Sequence, residues 1–181
     1  MIRTLDKRDG LTTVMIYLIR HASARYDTGV PYHIAPGPPL TEVGLGQAAE
    51  AAKLLEHASI DRVVSSPMLR CIMTAEPLCA RVGLDLQIDD DLGEMQMGEK
   101  PVEMAMRMLR ATLAQSDVSV VALVSHAAPL EQLVLALTHG AATLPAPGER
   151  GARIGAGHVW QVMRHTGKWH ANHLPVGGVR L

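Results

Sequence analysis

Two stretches of the chain are almost entirely apolar and contain neither glycine nor proline. They cover residues 14–19 and 120–124, and such short runs are typical of strands buried on both faces of a sheet. Arg20-His21 follows the first run directly, and Ser125-His126 follows the second. In an open α/β sheet, ligands bind just beyond the carboxyl ends of the strands. Both histidines are therefore predicted to lie where a ligand would bind.

The rest of the pattern predicts shorter strands that alternate with helices. Thr41 is suited to cap a helix that runs to about residue 57, and Pro67 to begin a second helix that runs to about residue 82. Further helices are predicted over 101–114 and 130–138, and further strands over 62–65, 84–88, 153–164 and 168–174. The last two strands are predicted to form a hairpin. This alternation predicts a single doubly wound α/β domain, with a mostly parallel central sheet flanked by helices.

Composition narrows the choice of partners and compartment. The chain has 181 residues, 48% of them hydrophobic and 19% charged, which suits one domain with a sizeable core. A net charge of −1 favours neither nucleic acid nor an anionic membrane as a partner, and no apolar run is long enough to span a membrane. Cys71 and Cys79 lie too far apart along one predicted helix to form a disulfide, so we expect reduced thiols and a cytoplasmic protein. Residues 1–13 are expected to be a flexible extension ahead of a domain over 14–181.

Three charged residues add to the two histidines. Arg70 is predicted in the first turn of a helix, where a cation opposes the helix dipole, and a conflict of this kind is a hint of function. Together with Arg20, it would bring two fixed cations to the edge of the sheet where the histidines lie. Two arginines and two histidines around one point suit a phosphate group. Glu94 lies in a loop after the third short strand and adds a carboxyl group.

Other polar residues have simpler structural interpretations. His170 and His173 suggest a metal site, but residues three apart in a strand point to opposite faces. The acidic turn at residues 89–91 is expected to be solvated rather than to bind a cation. Cys71 follows Arg70 near a predicted helix N-terminus, and we expect it to be a buried packing thiol rather than a reactive one.

Five short motifs occur along the chain in a fixed order. They are Arg20-His21-Ala22, Pro39-Leu40-Thr41-Glu42-x-Gly44, Ser65-Ser66-Pro67-x-x-Arg70-x-x-x-Thr74-Ala75, Leu92-x-Glu94-x-x-x-Gly98 and Val124-Ser125-His126. As an ordered set they resemble the histidine phosphatase superfamily, which includes the phosphoglycerate mutases, over residues 16–140. The resemblance implies a phosphoglycerate mutase-like fold.

The resemblance also implies a role for each matching residue. His21 corresponds to the nucleophile that forms a phosphohistidine, and Arg20, Arg70 and His126 correspond to the residues that hold the phosphoryl oxygens. Glu94 corresponds to the group that protonates the leaving oxygen and then deprotonates the attacking water. The chemistry is reasonable on its own terms, because a neutral imidazole is a ready nucleophile and phosphoryl transfer otherwise needs mainly positioning and charge stabilisation.

The loop over residues 25–39 is predicted to overhang the same pocket, because it follows the Arg20-His21 pair. Loops in this place usually shape specificity, so Tyr26, Tyr32 and His33 are candidates for contacting the substrate. Ser23 is a candidate hydrogen-bond donor to the phosphate.

The sequence departs from the family pattern at three positions. Ala22 and Ala127 stand where the family usually has glycine, so each adds a methyl group close to the expected phosphate position. Glu99 lies one residue away from a second acidic position of some members, and it is the reserve candidate for the general acid.

The function expected from these residues is hydrolysis of a small phosphomonoester, a phosphorylated metabolite, without a metal or other cofactor. The mutases of the family carry an insertion after the acid loop that closes over the substrate, whereas here the segment from Glu94 to Ser119 holds little beyond one helix. Water can then enter and take the phosphoryl group. The alternatives are a mutase-type phosphoryl transferase, a non-catalytic phosphate-binding regulatory protein and a metal-dependent hydrolase. The edge formed by the last strands leaves a homodimer open.

Overall fold

The computed structural model describes residues 15–148, 151–174 and 176. The expected extension over residues 1–13 lies outside these described residues. The strands are β1 (Met15–Arg20), β2 (Arg62–Ser65), β3 (Leu86–Ile88), β4 (Val120–Ser125), β5 (Val159–His165) and β6 (Lys168–Leu174). The helices are α1 (Glu42–Leu55), α2 (Leu69–Val82), α3 (Pro101–Leu113) and α4 (Ala127–Leu137). The predicted order of strands and helices is confirmed.

One six-stranded sheet forms the centre of the domain, in the order β3-β2-β4-β1-β5-β6. The first four strands of this order run parallel to one another, whereas β5 runs antiparallel to β1 and β6 antiparallel to β5. Helices cover both faces, so the predicted α/β domain with a mostly parallel sheet is confirmed. None of the described helices is long and apolar enough to cross a membrane.

Alternate side chains of β1 enter two different cores. On one face Ile19 lies in a buried cluster with Leu55 of α1 and Leu78 of α2. On the other face Leu18 lies in a buried cluster with Leu130 of α4. Burying one such side chain contributes about 1.5–3 kcal/mol relative to leaving it exposed. The all-apolar run of β1 thus reflects burial from both sides, which makes the strand a rigid support for the residues that follow it.

The neighbouring strands β1 and β4 place the two histidines side by side. Arg20, the last residue of β1, is in register with Ser125, the last residue of β4. The main-chain N–H of His21 continues the ladder and donates to the carbonyl of Ser125 at 2.9 Å. His21 and His126 therefore leave the same edge of the sheet from adjacent strands.

Four predicted elements begin at other residues in the structure. Strand β3 begins at Leu86 rather than at residue 84. Helix α2 begins at Leu69 rather than at Pro67, because the Ser66 hydroxyl accepts the Met68 N–H at 3.3 Å and extends the turn after β2. Strand β5 begins at Val159 rather than at residue 153, because residues 153–158 form a turn ahead of it. Helix α4 begins at residue 127 rather than at 130. Pro129 lies in the first turn of α4, where the missing N–H of a proline is not needed, so the helix can begin ahead of it.

Candidate active site

His21 is fixed in orientation by one short hydrogen bond. Its side chain is almost fully buried, with 2% of the residue exposed, and its Nδ1 lies 2.7 Å from the carbonyl oxygen of Ala22. Because a carbonyl only accepts hydrogen bonds, we assign the ring proton to Nδ1. The lone pair of Nε2 is then the nucleophilic face of the ring.

The loop after His21 is tied to the start of α1. Thr41 caps α1, with its hydroxyl accepting the N–H of Gly44 at 3.0 Å, while the N–H of Thr41 donates to the carbonyl of Ser23 at 2.9 Å. A Cβ at Gly44 would collide with that same carbonyl, so only glycine permits this approach. The Leu-Thr-Glu-x-Gly motif thus holds the turn that carries His21.

Helix α2 is tied to the same turn through Thr74. The Thr74 hydroxyl accepts the N–H of Ala22 at 3.0 Å and donates to the carbonyl of Arg70 at 2.6 Å. One side chain therefore links the segment that carries His21 with the helix that carries Arg70.

A buried polar network joins His126 to Ser66, Glu94 and Arg70. The Ser66 Oγ lies 3.0 Å from the Nε2 of His126, and the Nδ1 of His126 lies 3.3 Å from the Oε2 of Glu94. Arg70 Nη2 donates to the same Oε2 at 3.3 Å. An ionised carboxylate only accepts, so the contact with Glu94 favours a proton on Nδ1, whereas Arg70 Nη2, which only donates, lies 3.2 Å from the same nitrogen. Both His126 and Arg70 are fully buried.

Burial keeps both histidines neutral. Burial, the neighbouring His126 and the charges of Arg70 and Arg20 together hold the pKa of His21 well below its usual range. Burial also lowers the pKa of His126, although Glu94 opposes the shift. A neutral imidazole carries the lone pair that a nucleophile needs, so the ring of His21 is ready to react at neutral pH.

The carboxyl group of Glu94 is ionised in this arrangement. Burial opposes ionisation, but the hydrogen bonds from His126 and from the N–H of Met95 and the charge of Arg70 outweigh it and hold the pKa well below the usual range. Glu94 thus balances one of the two fixed cations that face the site.

The guanidinium groups of Arg20 and Arg70 each have an N–H donor without a partner among the described residues. Arg20 donates from Nη1 to the carbonyl of Ile154 at 2.6 Å, and Arg70 donates from Nη1 to the carbonyl of Tyr32 at 3.0 Å. Within the described part of the chain, the buried Nε atoms of Arg20 and Arg70 have no hydrogen-bond partner. Two cations with donors to spare beside a neutral imidazole suit an anion with several oxygens.

Two stacked tyrosines cover the nucleophile. The hydroxyl of Tyr32 lies 3.2 Å from the Nε2 of His21, and the hydroxyl of Tyr26 donates to that of Tyr32 at 3.2 Å. The tyrosine rings stack with their centroids 4.9 Å apart, and the Tyr32 ring lies 3.9 Å from the Cζ of Arg70. The loop predicted to overhang the pocket does so.

Two cavities meet at Arg20, His21 and Tyr26. The larger, of about 650 Å³, extends past Gln47 of α1 towards His158. The smaller, of about 400 Å³, is lined on its other sides by Tyr32, His33, Glu94, Ala127, Ala128, Glu131, Gly151 and Ala152. Of the two cavities, only the smaller is lined by Glu94.

A sequence profile of the histidine phosphatase superfamily, branch 1, matches residues 16–103. That span contains four of the five motifs, and the strand and helix order continues the same pattern to His126. This match supports the resemblance to the histidine phosphatase superfamily over just under half of the chain.

Curated relatives match this chain over part of their length. An uncharacterized protein of Mycobacterium tuberculosis is 37% identical over 79 residues, which is 44% of this chain and 39% of that protein. The protein of Proteus mirabilis named "Probable phosphoglycerate mutase GpmB" is 29% identical over 85 residues, 47% of this chain and 40% of that one. The aligned part of this chain thus spans about two fifths of the length of these curated relatives.

The fold is shared over almost the whole chain with a solved phosphatase structure. A mycobacterial glucosyl-3-phosphoglycerate phosphatase superposes with a TM-score of 0.69 at 23% identity, over 89% of this chain and 98% of that one. At this identity the match speaks for the fold alone.

The two alanines of this chain that stand where the family usually has glycine, Ala22 and Ala127, lie in different surroundings. Ala22 is buried in a small apolar cluster with Leu40 and Ala48 and lines neither cavity. The effect of its methyl group on the approach of a phosphate stays a prediction. Ala127 does line the smaller cavity. The candidate phosphate donor Ser23 lines the larger cavity, and its role stays a prediction.

The reserve acid Glu99 does not reach the site. Its carboxylate is paired with Arg107, at 2.6 Å from Nε, and it lines neither cavity. Asp91 is also engaged, since its carboxylate pairs with Arg110, so the acidic turn is less free than expected. Cys71 is confirmed as a buried thiol, and burial raises its pKa to about 12.

The histidines of β6 do not form a metal site together. His170 is exposed. The Nε2 of His173 lies 3.1 Å from the Nδ1 of His158, which directly precedes β5. Among the described residues, one group has ligand atoms close enough for a metal, namely His21, Glu94 and His126 within 4.8 Å of one another. Arg70 Nη2 contacts two of those atoms, and its fixed charge opposes a divalent cation there. The cluster suits an anion better.

Three residues of the site were not singled out by sequence reasoning. Ser66 and Thr74 lie inside the quoted motifs, but only the structure shows that one bonds His126 and the other joins two segments. Arg107 had a sequence signal, because it lies three residues after Met104 and four before Ala111, both buried, on the same face of α3. A charged residue on an apolar helix face indicates a specific partner.

Proposed function

We propose that this protein is a phosphatase that hydrolyses a small phosphomonoester through a phosphohistidine on Nε2 of His21, without a metal ion. The observation that carries the proposal is the fixed, neutral imidazole of His21, which lines a pocket together with Arg20. The name of the mycobacterial phosphatase that shares the fold supports the same reaction class.

In the first step, the lone pair of Nε2 attacks phosphorus and the bond from phosphorus to the ester oxygen breaks. The leaving oxygen takes a proton from Glu94. The N–H of Nδ1 stays with the ring, and its bond to the carbonyl of Ala22 stabilises the positive charge that the phosphorylated ring carries. Arg20, Arg70 and His126 stabilise the charge on the phosphoryl oxygens, and one such donor is worth about 10²–10³ in rate.

Glu94 must gain a proton before it can act as an acid. It is ionised in the resting site, but an arriving phosphoryl group brings negative charge beside it and competes for the N–H groups of Arg70 and His126. Both effects raise the pKa of a carboxyl group. Glu94 therefore takes up a proton as the substrate binds.

In the second step, water attacks the phosphorylated histidine. The carboxylate of Glu94 accepts the proton from the water, the bond between phosphorus and Nε2 breaks, and the electron pair returns to the ring. Inorganic phosphate leaves, and a proton passes from Glu94 to solvent as the resting site is restored.

The alcohol part of the ester lies in the smaller cavity. Glu94 must reach the leaving oxygen, and of the two cavities only the smaller is lined by Glu94. Its volume of about 400 Å³ suits a small ester, with Tyr26, Tyr32 and His33 placed to contact the alcohol. The three residues are thus proposed as specificity residues.

Tyr32 must move when the substrate binds. Attack requires phosphorus at about 3–3.5 Å from the nucleophilic atom. The hydroxyl of Tyr32 already lies at 3.2 Å from Nε2. The phosphoryl group therefore displaces this hydroxyl, and the resting arrangement competes with substrate.

A mutase is the second candidate, supported by the relative named as a phosphoglycerate mutase. The segment between Glu94 and β4 contains α3 and no insertion that would close over the site. Water then reaches the phosphohistidine more easily than in an enclosed site, which favours hydrolysis over return of the phosphoryl group to an alcohol.

The test is release of inorganic phosphate from p-nitrophenyl phosphate in the presence of EDTA. We expect turnover by the native protein, its loss in His21→Ala, and full activity in the control His57→Ala, whose side chain is 88% exposed. Loss of activity in EDTA would indicate a metal-dependent hydrolase. A folded native protein that binds phosphate without turnover would indicate a binding protein instead.

A further inference from the structure

The segment that carries Glu94 has little apolar support. Residues 93–99 contain neither helix nor strand, and Met95 and Met97 are exposed. Leu92, just ahead of this segment, is fully buried, and its carbonyl accepts the Ser125 hydroxyl at 2.7 Å. Residues 91–99, here called the acid loop, therefore need polar contacts to keep Glu94 in place.

Arg107 of α3 supplies those contacts with every N–H of its guanidinium group. Nη1 donates to the carbonyls of Asp91 at 2.6 Å and Gly93 at 2.8 Å, and Nη2 donates to the carbonyl of Glu94 at 3.2 Å. The remaining two N–H groups donate to Glu99, from Nε at 2.6 Å and from Nη2 at 3.0 Å. A guanidinium has five N–H donors in a rigid plane, and here all five hold the acid loop.

Glu99 completes this support from the far end of the acid loop. Its side chain is only 9% exposed, and its Oε2 also accepts the main-chain N–H of Gln96 at 3.0 Å. The hydrogen bonds of Arg107 lower the pKa of Glu99, so the pair stays ionised at neutral pH. Arg107 and Glu99 therefore close the loop around one charged pair.

We infer that Arg107, paired with Glu99, is a positioning residue that holds the general acid Glu94 at the leaving oxygen during the reaction. In the resting site the Glu94 carboxylate is also held by Arg70 and His126. An arriving phosphoryl group takes over those two contacts, whereas the contact of Arg107 with the Glu94 main chain persists. The inference rests on the proposed function, in which Glu94 protonates the leaving group.

Arg110 provides a matched control on the same helix. It lies one turn beyond Arg107 and pairs with the side chain of Asp91, and its own side chain is 69% exposed. Among the described residues, Arg110 donates no hydrogen bond to a main-chain carbonyl of residues 91–99. Replacing it removes a charge from α3 and the side-chain pair with Asp91, while all five contacts of Arg107 with the acid loop remain.

The test compares two esters that differ in their need for an acid. An alkyl phosphate expels an alkoxide that needs a proton, whereas 2,4-dinitrophenyl phosphate expels a phenolate that does not. Arg107→Gln should lower kcat/KM for the alkyl phosphate by about 100-fold, because a misplacement of about 1 Å costs that much, and should change kcat/KM for the dinitrophenyl ester by less than about 3-fold. Glu94→Gln should show the same selective loss, and Arg110→Gln should show neither.

The outcomes separate the inference from the function on which it rests. Equal losses on both esters in Arg107→Gln, or no loss on either, would overturn the positioning role. If Glu94→Gln itself shows no difference between the esters, the proposed acid is wrong. Should Arg107→Gln not fold, as judged by its thermal unfolding, Glu99→Gln takes its place, since it removes the charged partner and keeps the shape of the side chain.

Discussion

The site contains two regions that are held in different ways. The floor consists of His21, Arg70 and His126, which are buried and follow the ends of strands or begin a helix. The rim consists of Tyr32 and Glu94, which lie in irregular loops. Tyr32 contacts the floor through its hydroxyl, carbonyl and ring, and Glu94 contacts it through its carboxylate. The floor is preorganised for the phosphoryl group, while the side chain of Tyr32 in the rim must move when an ester binds. Phosphoryl transfer needs the first property, and choice of substrate needs the second.

Removing the nucleophile should have the largest effect of any single change in the floor. His21→Ala should lower kcat for every phosphomonoester by about 10⁴-fold or more, since loss of a nucleophile disables the whole catalytic unit. Steady-state phosphate release checks this. A variant with a large residual rate on all esters would show that the floor does not carry the chemistry.

Removing one fixed cation from the floor should cost less. Arg70→Gln removes a buried charge beside His21, and we expect a fall in kcat/KM of about 10²–10³-fold on all esters alike. Arg62→Gln is the control, because Arg62 pairs with Asp117 at the opposite end of β2. A loss limited to esters with poor leaving groups would move Arg70 from the floor to the acid machinery of the rim.

Binding of phosphate should protonate Glu94, the acid of the rim. Because the pKa of Glu94 is held low in the resting site and rises when negative charge arrives, phosphate binding near pH 7 should be accompanied by uptake of a proton. Calorimetry in buffers of different ionisation enthalpy measures that proton. Glu94→Gln should abolish the proton uptake by the protein and leave any uptake by the phosphate itself. Unchanged uptake in Glu94→Gln would place the proton elsewhere.

The neutral histidines of the floor should make the fold sensitive to acid. Burial lowers the pKa values of His21 and His126, so below about pH 6.5 the unfolded chain binds protons that the native protein does not. The free energy of unfolding should therefore fall as the pH drops from about 7 to about 5, and His21→Asn should make this fall shallower. Urea unfolding at several pH values tests it, and a slope that His21→Asn leaves unchanged would contradict the assignment.

The smallest effect should come from the tyrosine of the rim. Tyr32→Phe removes the hydroxyl that occupies Nε2 of His21 and keeps the ring over Arg70. One hydrogen bond contributes about 0.5–1.5 kcal/mol, so the Kd of inorganic phosphate should fall by about 2–10-fold. A weaker affinity in the variant would mean that the hydroxyl contacts the phosphate instead of competing with it.

The sequence was most informative about the floor. Short apolar runs that end in His21 and His126 predicted two buried strands with a shared edge, and the register of β1 with β4 confirms that arrangement. Strand ends are predictable because burial on both faces leaves a clear apolar run and parallel strands present their carboxyl ends together. The placement of Arg70 beside them followed from the same reasoning.

The sequence predicted fewer of the contacts made by the rim. The sequence predicts Glu99 as a reserve acid, but in the structure its carboxylate pairs with Arg107, and such a contact between a loop and a helix leaves no periodic pattern in the sequence. The prediction of a strand over the turn before β5 is wrong, since the main-chain N–H groups of Arg153 and Ile154 donate to the carboxylate of Glu131, which is a tertiary contact. Main-chain partners of side chains become visible only once the chain is folded.

The most direct test of the central claim is to trap the phosphorylated enzyme. Glu94→Gln should be phosphorylated by 2,4-dinitrophenyl phosphate, whose phenolate leaves without an acid, and should then persist in that form because it lacks the base that activates water. Mass spectrometry under alkaline conditions, where phosphohistidine survives, should find one phosphoryl group per chain on His21, and none in the Glu94→Gln, His21→Ala double variant. Dinitrophenol release without any phosphoryl group on His21, or with the group on another residue, would contradict the account.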